Sequence, residues 1–168
     1  TLGDSALGLK LLKRKPAALK QPDAKFLLSR HHFPTARVEA GAILAREELA
    51  HAMIDVSDGL IQDLGHICKA SRIGAVVAEE KLPLSPAYRS LASHDGTRHA
   101  LTGGEDYELL FCARRRDRPR IERLQRHFNV PVTRIGTCVP VRDGITVLDR
   151  MGQRISFHGT GHDHFRSR

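Results

Sequence analysis

Hydrophobic positions recur at helical spacing through the first fifty residues and then give way to shorter, strand-like runs. Leu7, Leu11 and Leu12 follow Asp4 and Ser5 and predict a helix. Pro16 ends it, because proline has no N–H and its ring clashes with the preceding turn. Pro22-Asp23 opens a second helix carrying Phe26 and Leu27. A third follows Pro34-Thr35, placing Val38, Ala42 and Ala45 on one face and running to Leu49. The pattern then changes. His51 to Val56 is short, partly β-branched and bounded by Ser57-Asp58-Gly59, which predicts a strand entering a turn. Leu60, Ile61, Leu64, Ile67 and Cys68 fall on one helical stripe, closed by Gly74 after Lys69 and Arg72.

Residues 74–78 read as the next strand and 82–86 as a loop, with Ser85 capping a short helix that ends at Leu91. The polar stretch 93–98 reads as loop, and Tyr107 to Cys112 as a strand after Gly103-Gly104. Ile121, Leu124 and Phe128 mark another helix, and 130–137 and 144–148 complete the series as strands. Strands alternating with helices predict an α/β (α+β) layered domain, a mixed β-sheet packed with helices. No internal repeat or low-complexity segment interrupts it.

Composition narrows the class. A chain of 168 residues with 40% hydrophobic content suits one domain with a true core, which excludes disordered, collagen-like and disulfide-scaffold classes. No apolar run reaches the ~18 residues of a membrane span. Cys68, Cys112 and Cys138 are odd in number and far apart in sequence, so reduced thiols and a cytoplasmic location are expected. The charge balance, 27 − 19 = +8, raises the question of nucleic acid. The densest basic stretch, Arg114 to Arg126, shares its helix with the Ile121/Leu124/Phe128 stripe, so its arginines read as a solvated face. Aromatics are 5% and do not interleave with the basic residues as a stacking platform requires, so no nucleic-acid partner is expected.

Two clusters carry candidate chemistry. In the first, strand alternation places Met53, Asp55 and Ser57 on one face and Ala52, Ile54 and Val56 on the other. Carboxylates at a strand end, followed by a helix N-terminus, sit where α/β proteins place ligands. Backbone N–H groups there suit a phosphate, two aspartates repel it, and Mg²⁺ reconciles the two. The plain alternative makes Asp58 the helix N-cap and Asp55 a turn residue. In the second cluster, Gly103-Gly104-Glu105-Asp106-Tyr107, the glycines permit positive φ and close approach, while the acids suit a cationic ring or a metal. Its plain alternative is a loop with solvated acids.

Taken together, Ile54-Asp55-Val56-Ser57-Asp58-Gly59-Leu60 and Leu101-Thr102-Gly103-Gly104-Glu105-Asp106-Tyr107-Glu108-Leu109 resemble two motifs of the thiamine-monophosphate kinase family. Leu2-Gly3-Asp4-Ser5-Ala6-Leu7-Gly8-Leu9 resembles that family's interdomain segment, and Gly161-His162-Asp163-His164-Phe165 its C-terminal signature. The resemblance implies the C-terminal domain fold of the wider aminoimidazole-ribonucleotide-synthetase-like superfamily, with residues 1–20 joining it to an N-terminal domain upstream of Thr1. It implies ATP-dependent phosphorylation of thiamine monophosphate to thiamine diphosphate with Mg²⁺. Asp55 and Asp58 would then be metal ligands, Ser57 an ATP contact, and Glu105 a contact to the cationic thiamine. His162 stands where the family packs an aromatic residue on substrate. The family's N-terminal domain supplies most of the acidic metal cluster, much of the ATP site and the homodimer interface, so these 168 residues alone are expected to be inactive. Alternatives are another superfamily synthetase, such as aminoimidazole ribonucleotide synthetase or selenophosphate synthetase, and a non-catalytic basic RNA-binding module. A zinc site at His162-Asp163-His164 has only two His and no third soft ligand nearby.

Overall fold

In the computed structural model, which describes residues 1–14, 20–92, 96–128 and 130–156, the N-terminal stripes become helices α1 (Asp4–Arg14) and α2 (Pro22–His32). Leu7, Leu11 and Leu27 are buried between them and the rest of the chain. The two helices touch backbone to backbone: a Cβ on Gly8 would stand 2.4 Å from the Leu27 carbonyl oxygen. Helix α3 (Val38–Arg46) forms where expected but turns the other way. Val38 is 73% exposed, and the buried residues are Ala40 and Leu44. Both stripes have helical spacing, and the one with the larger apolar surface wins.

Strand β1 (Ala52–Asp55) pairs antiparallel with β3 (Leu109–Cys112), from Ala52 opposite Cys112 to Asp55 opposite Leu109. Between them lie α4 (Leu60–Ser71), β2 (Ile73–Ala78), α5 (Pro86–Leu91) and α6 (Arg98–Thr102). Helix α6 begins where the stretch read as loop ends and is not among the expected elements; five residues are too few to show a period. As expected, Ser85 caps α5, its Oγ accepting the Tyr88 N–H at 2.9 Å. The left-handed residue closing α4 is Arg72 (φ 53°), not Gly74. Gly74 lies inside β2, where a side chain would strike the Gly144 and Pro140 carbonyl oxygens.

After β3 comes α7 (Arg118–Leu124), then β4 (Gly136–Pro140) and β5 (Ile145–Leu148). Residues 130–135, read as strand, form none. Pro131 lacks a ladder donor, and pairing starts at Gly136, where a Cβ would meet the Val76 carbonyl oxygen at 2.3 Å. β2 is the centre of a mixed three-stranded sheet, antiparallel to β4 and parallel to β5. The layered α/β class is as expected, with its strands divided between two small sheets rather than one.

The β1–β3 sheet has apolar neighbours on both faces. Leu110 and Cys112, with Ala52 and Ile54, face a large core built around Leu60, Leu64, Ile67, Val77, Tyr88 and Leu101. Leu109 and Phe111 face a second core of Ala40, Leu44, Leu49, Ile121 and Phe128. The period-two alternation of a strand produces this division. It also settles the basic stretch: Ile121 and Phe128 are buried, Leu124 is half-buried, and the arginines at 114–116, 118, 120, 123 and 126 are exposed. Arg118 pairs with Glu122 at 2.8 Å, and Arg120 pairs with Glu47.

Candidate functional site

The β1–β3 ladder does not stop at Asp55 and Leu109; it runs on irregularly and joins the two motifs. The Val56 N–H donates to the Glu108 carbonyl at 2.8 Å, Tyr107 N–H to the Val56 carbonyl at 2.9 Å, and Glu105 N–H to the Ser57 carbonyl at 2.8 Å. Forty-odd residues of intervening sequence therefore close into one site. The chain bends sharply to do this, with Glu105 (φ 66°) and Tyr107 (φ 51°) both left-handed. Non-glycine residues in that region cost of order 1–3 kcal/mol and concentrate at functional sites.

The sequence reading gave the positive φ to Gly103 and Gly104; the structure gives them a different task. A Cβ on Gly104 would lie 2.3 Å from the Ser57 carbonyl oxygen, and one on Gly103 would meet Ala6 Cβ and the His99 carbonyl, each at 2.4 Å. Gly104 lets the two motifs touch each other, and Gly103 lets the loop pack against α1 and α6. Gly59 does need its freedom: φ is 123°, and a Cβ would press on the Thr102 backbone at 3.0 Å.

Asp58 is not the N-cap. That position belongs to Gly59, and the Asp58 carboxylate is exposed, accepting a bond from Gln62 Nε2 at 3.4 Å. The loop is held by a residue the motif reading missed. Asp63, 1% exposed, turns Oδ2 to the N–H groups of Ser57, Asp58 and Gly59 at 3.0, 3.1 and 3.1 Å. Burial pushes its carboxyl above the ordinary value, and those donated bonds oppose the shift. A signal was present: Asp63 falls at i+3 from Leu60, on the helix's apolar stripe. These bonds engage the N–H groups of 57–59 within the protein, leaving the first turn of α4 as the part of this loop whose N–H groups Asp63 does not hold.

A second buried acid anchors the other motif. Asp106 accepts the Gly3 N–H at 2.6 Å and the Ser5 N–H at 3.2 Å, fastening the residues before and within α1 to the loop. Burial pushes its carboxyl up to about 7, against those two hydrogen bonds and helped by the neighbouring Asp4. Glu108 takes a bidentate pair from Arg37 and a bond from Arg30, all at 2.8 Å. Burial alone would raise Glu108, but the Arg37 guanidinium and the Thr1 ammonium, 3.0 Å from Oε1, prevail and hold it below the ordinary carboxylate range. Between these anchors the Glu105 carboxylate is 60% exposed, its Oε2 4.0 Å from His31 Nδ1, which in turn lies 2.9 Å from Ser5 Oγ.

Asp55, Asp58 and Glu105 thus lie at one open end of the β1–β3 ladder with exposed carboxylates, and Ser57 stands half-buried between them. Donor atoms of Asp58, Asp63 and His66 lie within 4.8 Å of one another, a grouping that does not include Asp55. Asp63 Oδ2 is committed to three N–H donors and His66 offers nitrogen. The donor set open to a hard cation is therefore the exposed carboxylates. One or two carboxylates completed by phosphate oxygens are what Mg²⁺ ordinarily takes, so these residues fit a magnesium–phosphate complex. His162, like the His162/His164 zinc alternative, lies outside the described residues. No helix among the described residues is long and apolar enough to cross a membrane.

Comparison with known proteins follows the same lines. Residues 7–149 match the family model "AIR synthase related protein, C-terminal domain", and the chain belongs to that family. Within it, the chain is a homologue of the C-terminal region of thiamine-monophosphate kinase, an ATP-dependent phosphotransferase. It is 40% identical over 166 residues to the thiamine-monophosphate kinase of Escherichia coli K12, covering 98% of this chain and 50% of the relative. The crystal structure of thiamine-monophosphate kinase from Stenotrophomonas maltophilia K279a superposes with a TM-score of 0.80 at 40% identity, over 88% of this chain and 47% of that one. The structure of AaThiL complexed with AMPPCP and TMP gives a TM-score of 0.75 at 32% identity, over 96% and 48%. The chain spans about half the length of the curated relatives it matches.

Proposed function

We propose that this chain forms the C-terminal part of an enzyme that phosphorylates thiamine monophosphate to thiamine diphosphate, in the cytoplasm and as a homodimer when joined to an N-terminal domain. The observation that carries the reading is the backbone junction between Ser57 and Glu105, which brings both family motifs to one open face. Relatives about twice as long as the chain support the part assigned to a second domain.

A terminal phosphate oxygen of thiamine monophosphate would attack the γ-phosphorus of ATP, the bond to the bridging β,γ-oxygen would break, and ADP would leave, with no covalent enzyme intermediate. Mg²⁺, when bound, neutralises the phosphate oxygens of the two anionic reactants. Asp55 and Asp58 would hold the metal. The Ser57 hydroxyl would contact ATP, since its N–H is engaged by Asp63. Glu105 would face the cationic thiamine, exposed as it is between His31 and solvent, and His162 would pack on the substrate.

The test is calorimetric titration of the chain with thiamine monophosphate in the presence of Mg²⁺. Glu105→Gln is expected to weaken binding at least about tenfold, or ~1.4 kcal/mol. Equal affinity for both proteins would remove Glu105 from the substrate site. The chain alone is expected to form no thiamine diphosphate from ATP; turnover by these residues would sink the two-domain reading.

A further inference from the structure

The three cysteines, scattered in sequence, converge in space. Cys112 is the last residue of β3 and pairs with Ala52; Cys138 lies within β4 and pairs with Ala75 of the other sheet. Their sulfurs stand 3.6 Å apart across the seam between the two sheets. Cys138 is exposed, Cys112 half-buried and Cys68 buried on α4; all three are free thiols. We infer that Cys112 and Cys138 form a redox modification site, a dithiol that closes reversibly to a disulfide by exchange with low-molecular-weight disulfides.

The geometry requires modest movement. A disulfide holds its sulfurs about 2.05 Å apart, so the pair must close by roughly 1.5 Å, within reach of side-chain rotation. Exposure makes Cys138 the entry point. Its thiolate attacks one sulfur of the small disulfide, forming a mixed disulfide and releasing one thiolate. Cys112 then loses its proton to solvent and attacks Cys138 Sγ, and the sulfur–sulfur bond to the small molecule breaks. In sum, two protein thiols are oxidised to one disulfide and one small disulfide is reduced to two thiols. Burial, with the neighbouring Cys138 thiol, pushes Cys112 up to about 12. The closing step is therefore the slow one and accelerates as pH rises, because only the thiolate is nucleophilic. Cys68, whose thiol burial also raises, stays out of the exchange. The product clasps the first sheet to the second and encloses the whole arginine-rich segment in a covalent loop.

The experiment equilibrates the whole chain in glutathione buffers from fully reduced to fully oxidised, traps thiols by alkylation and maps peptides by mass spectrometry. A Cys112–Cys138 crosslink reversed by dithiothreitol is expected, with a Tm about 10 °C above that of the reduced chain. Cys138→Ser should abolish the crosslink, Cys112→Ser should trap glutathione on Cys138, and Cys68→Ser should leave the crosslink intact. Crosslinking of the wild-type chain should quicken between pH 7 and 9. A lasting glutathione adduct on wild-type Cys138, a disulfide that includes Cys68, or no thiol loss across the series would each overturn the assignment.

Discussion

Residues 57–59 and residues 103–108 each hang on a buried carboxylate, but the two carboxylates work at different ranges. Asp63 binds donors four to six residues away in its own helix–loop unit. Asp106 binds Gly3 and Ser5, 103 and 101 residues distant. The first loop is shaped wherever its helix forms. The second is shaped only when residues 3–5 and the loop at 106 have come together. The exposed acids of the site inherit this difference: Asp58 sits on a self-contained frame, while Asp55, on a strand paired with Leu109, and Glu105 sit on frames that distant parts of the chain must supply.

The strongest way to break the comparison is to separate the two loops. Gly104→Ala puts a Cβ 2.3 Å from the Ser57 carbonyl, backbone against backbone, with no flexible neighbour to yield. A loss of about 3 kcal/mol in urea unfolding is expected, against about 1 kcal/mol for Gly144→Ala, whose positive φ faces open space. Next comes Asp63→Ala, which strands three N–H donors and should cost about 2–3 kcal/mol. Hydrogen exchange should then quicken at 57–59 while the Gly3 and Ser5 amides stay protected. Equal loss at both places would erase the distinction between a local and a long-range frame.

A third test is read through pH. With a carboxyl raised to about 7 in the native state from 3.8, Asp106 keeps a proton that the unfolded chain releases. The unfolded state therefore binds fewer protons between those values, and the contribution of Asp106 to stability declines as pH rises from about 4 to 7. Glu108, held low, works in the opposite direction, so the measurable quantity is a difference. Unfolding free energies of the wild type minus Asp106→Asn should shrink across that range and level off above pH 7. A flat difference would show that Asp106 is ionised throughout.

These carboxylates also mark the limit of what the sequence made legible. Helix α4 was plain, because Leu60, Leu64, Ile67 and Cys68 are large and periodic, and all are buried. The residues of both loops could be singled out because glycines and acids at a strand end are chemically unusual. Their anchors could not: bonds from Gly3 to Asp106, or from Arg30 and Arg37 to Glu108, span 71 to 103 residues and leave no local period. Helix α3 failed for a related reason. Its nine residues carry two helical stripes, and the choice between them rests on Ile121 and Phe128, some eighty residues further on. Beyond Phe128, alternation of Val130 and Val132 imitates a strand, but both pack against the second core.

The long reach of Asp106 has a consequence in time. A chain growing from its N-terminus holds Gly3 and Ser5 without their acceptor until more than a hundred residues have been made. Closing so large a loop carries a logarithmic entropic cost that only later contacts repay. Helices α1 and α2 and the Asp63-held turn can form early, from local contacts. The Glu105 face is expected to appear only after residue 106 has been made and has closed the circuit, so that ligand-binding competence waits on a long-range step rather than on local folding.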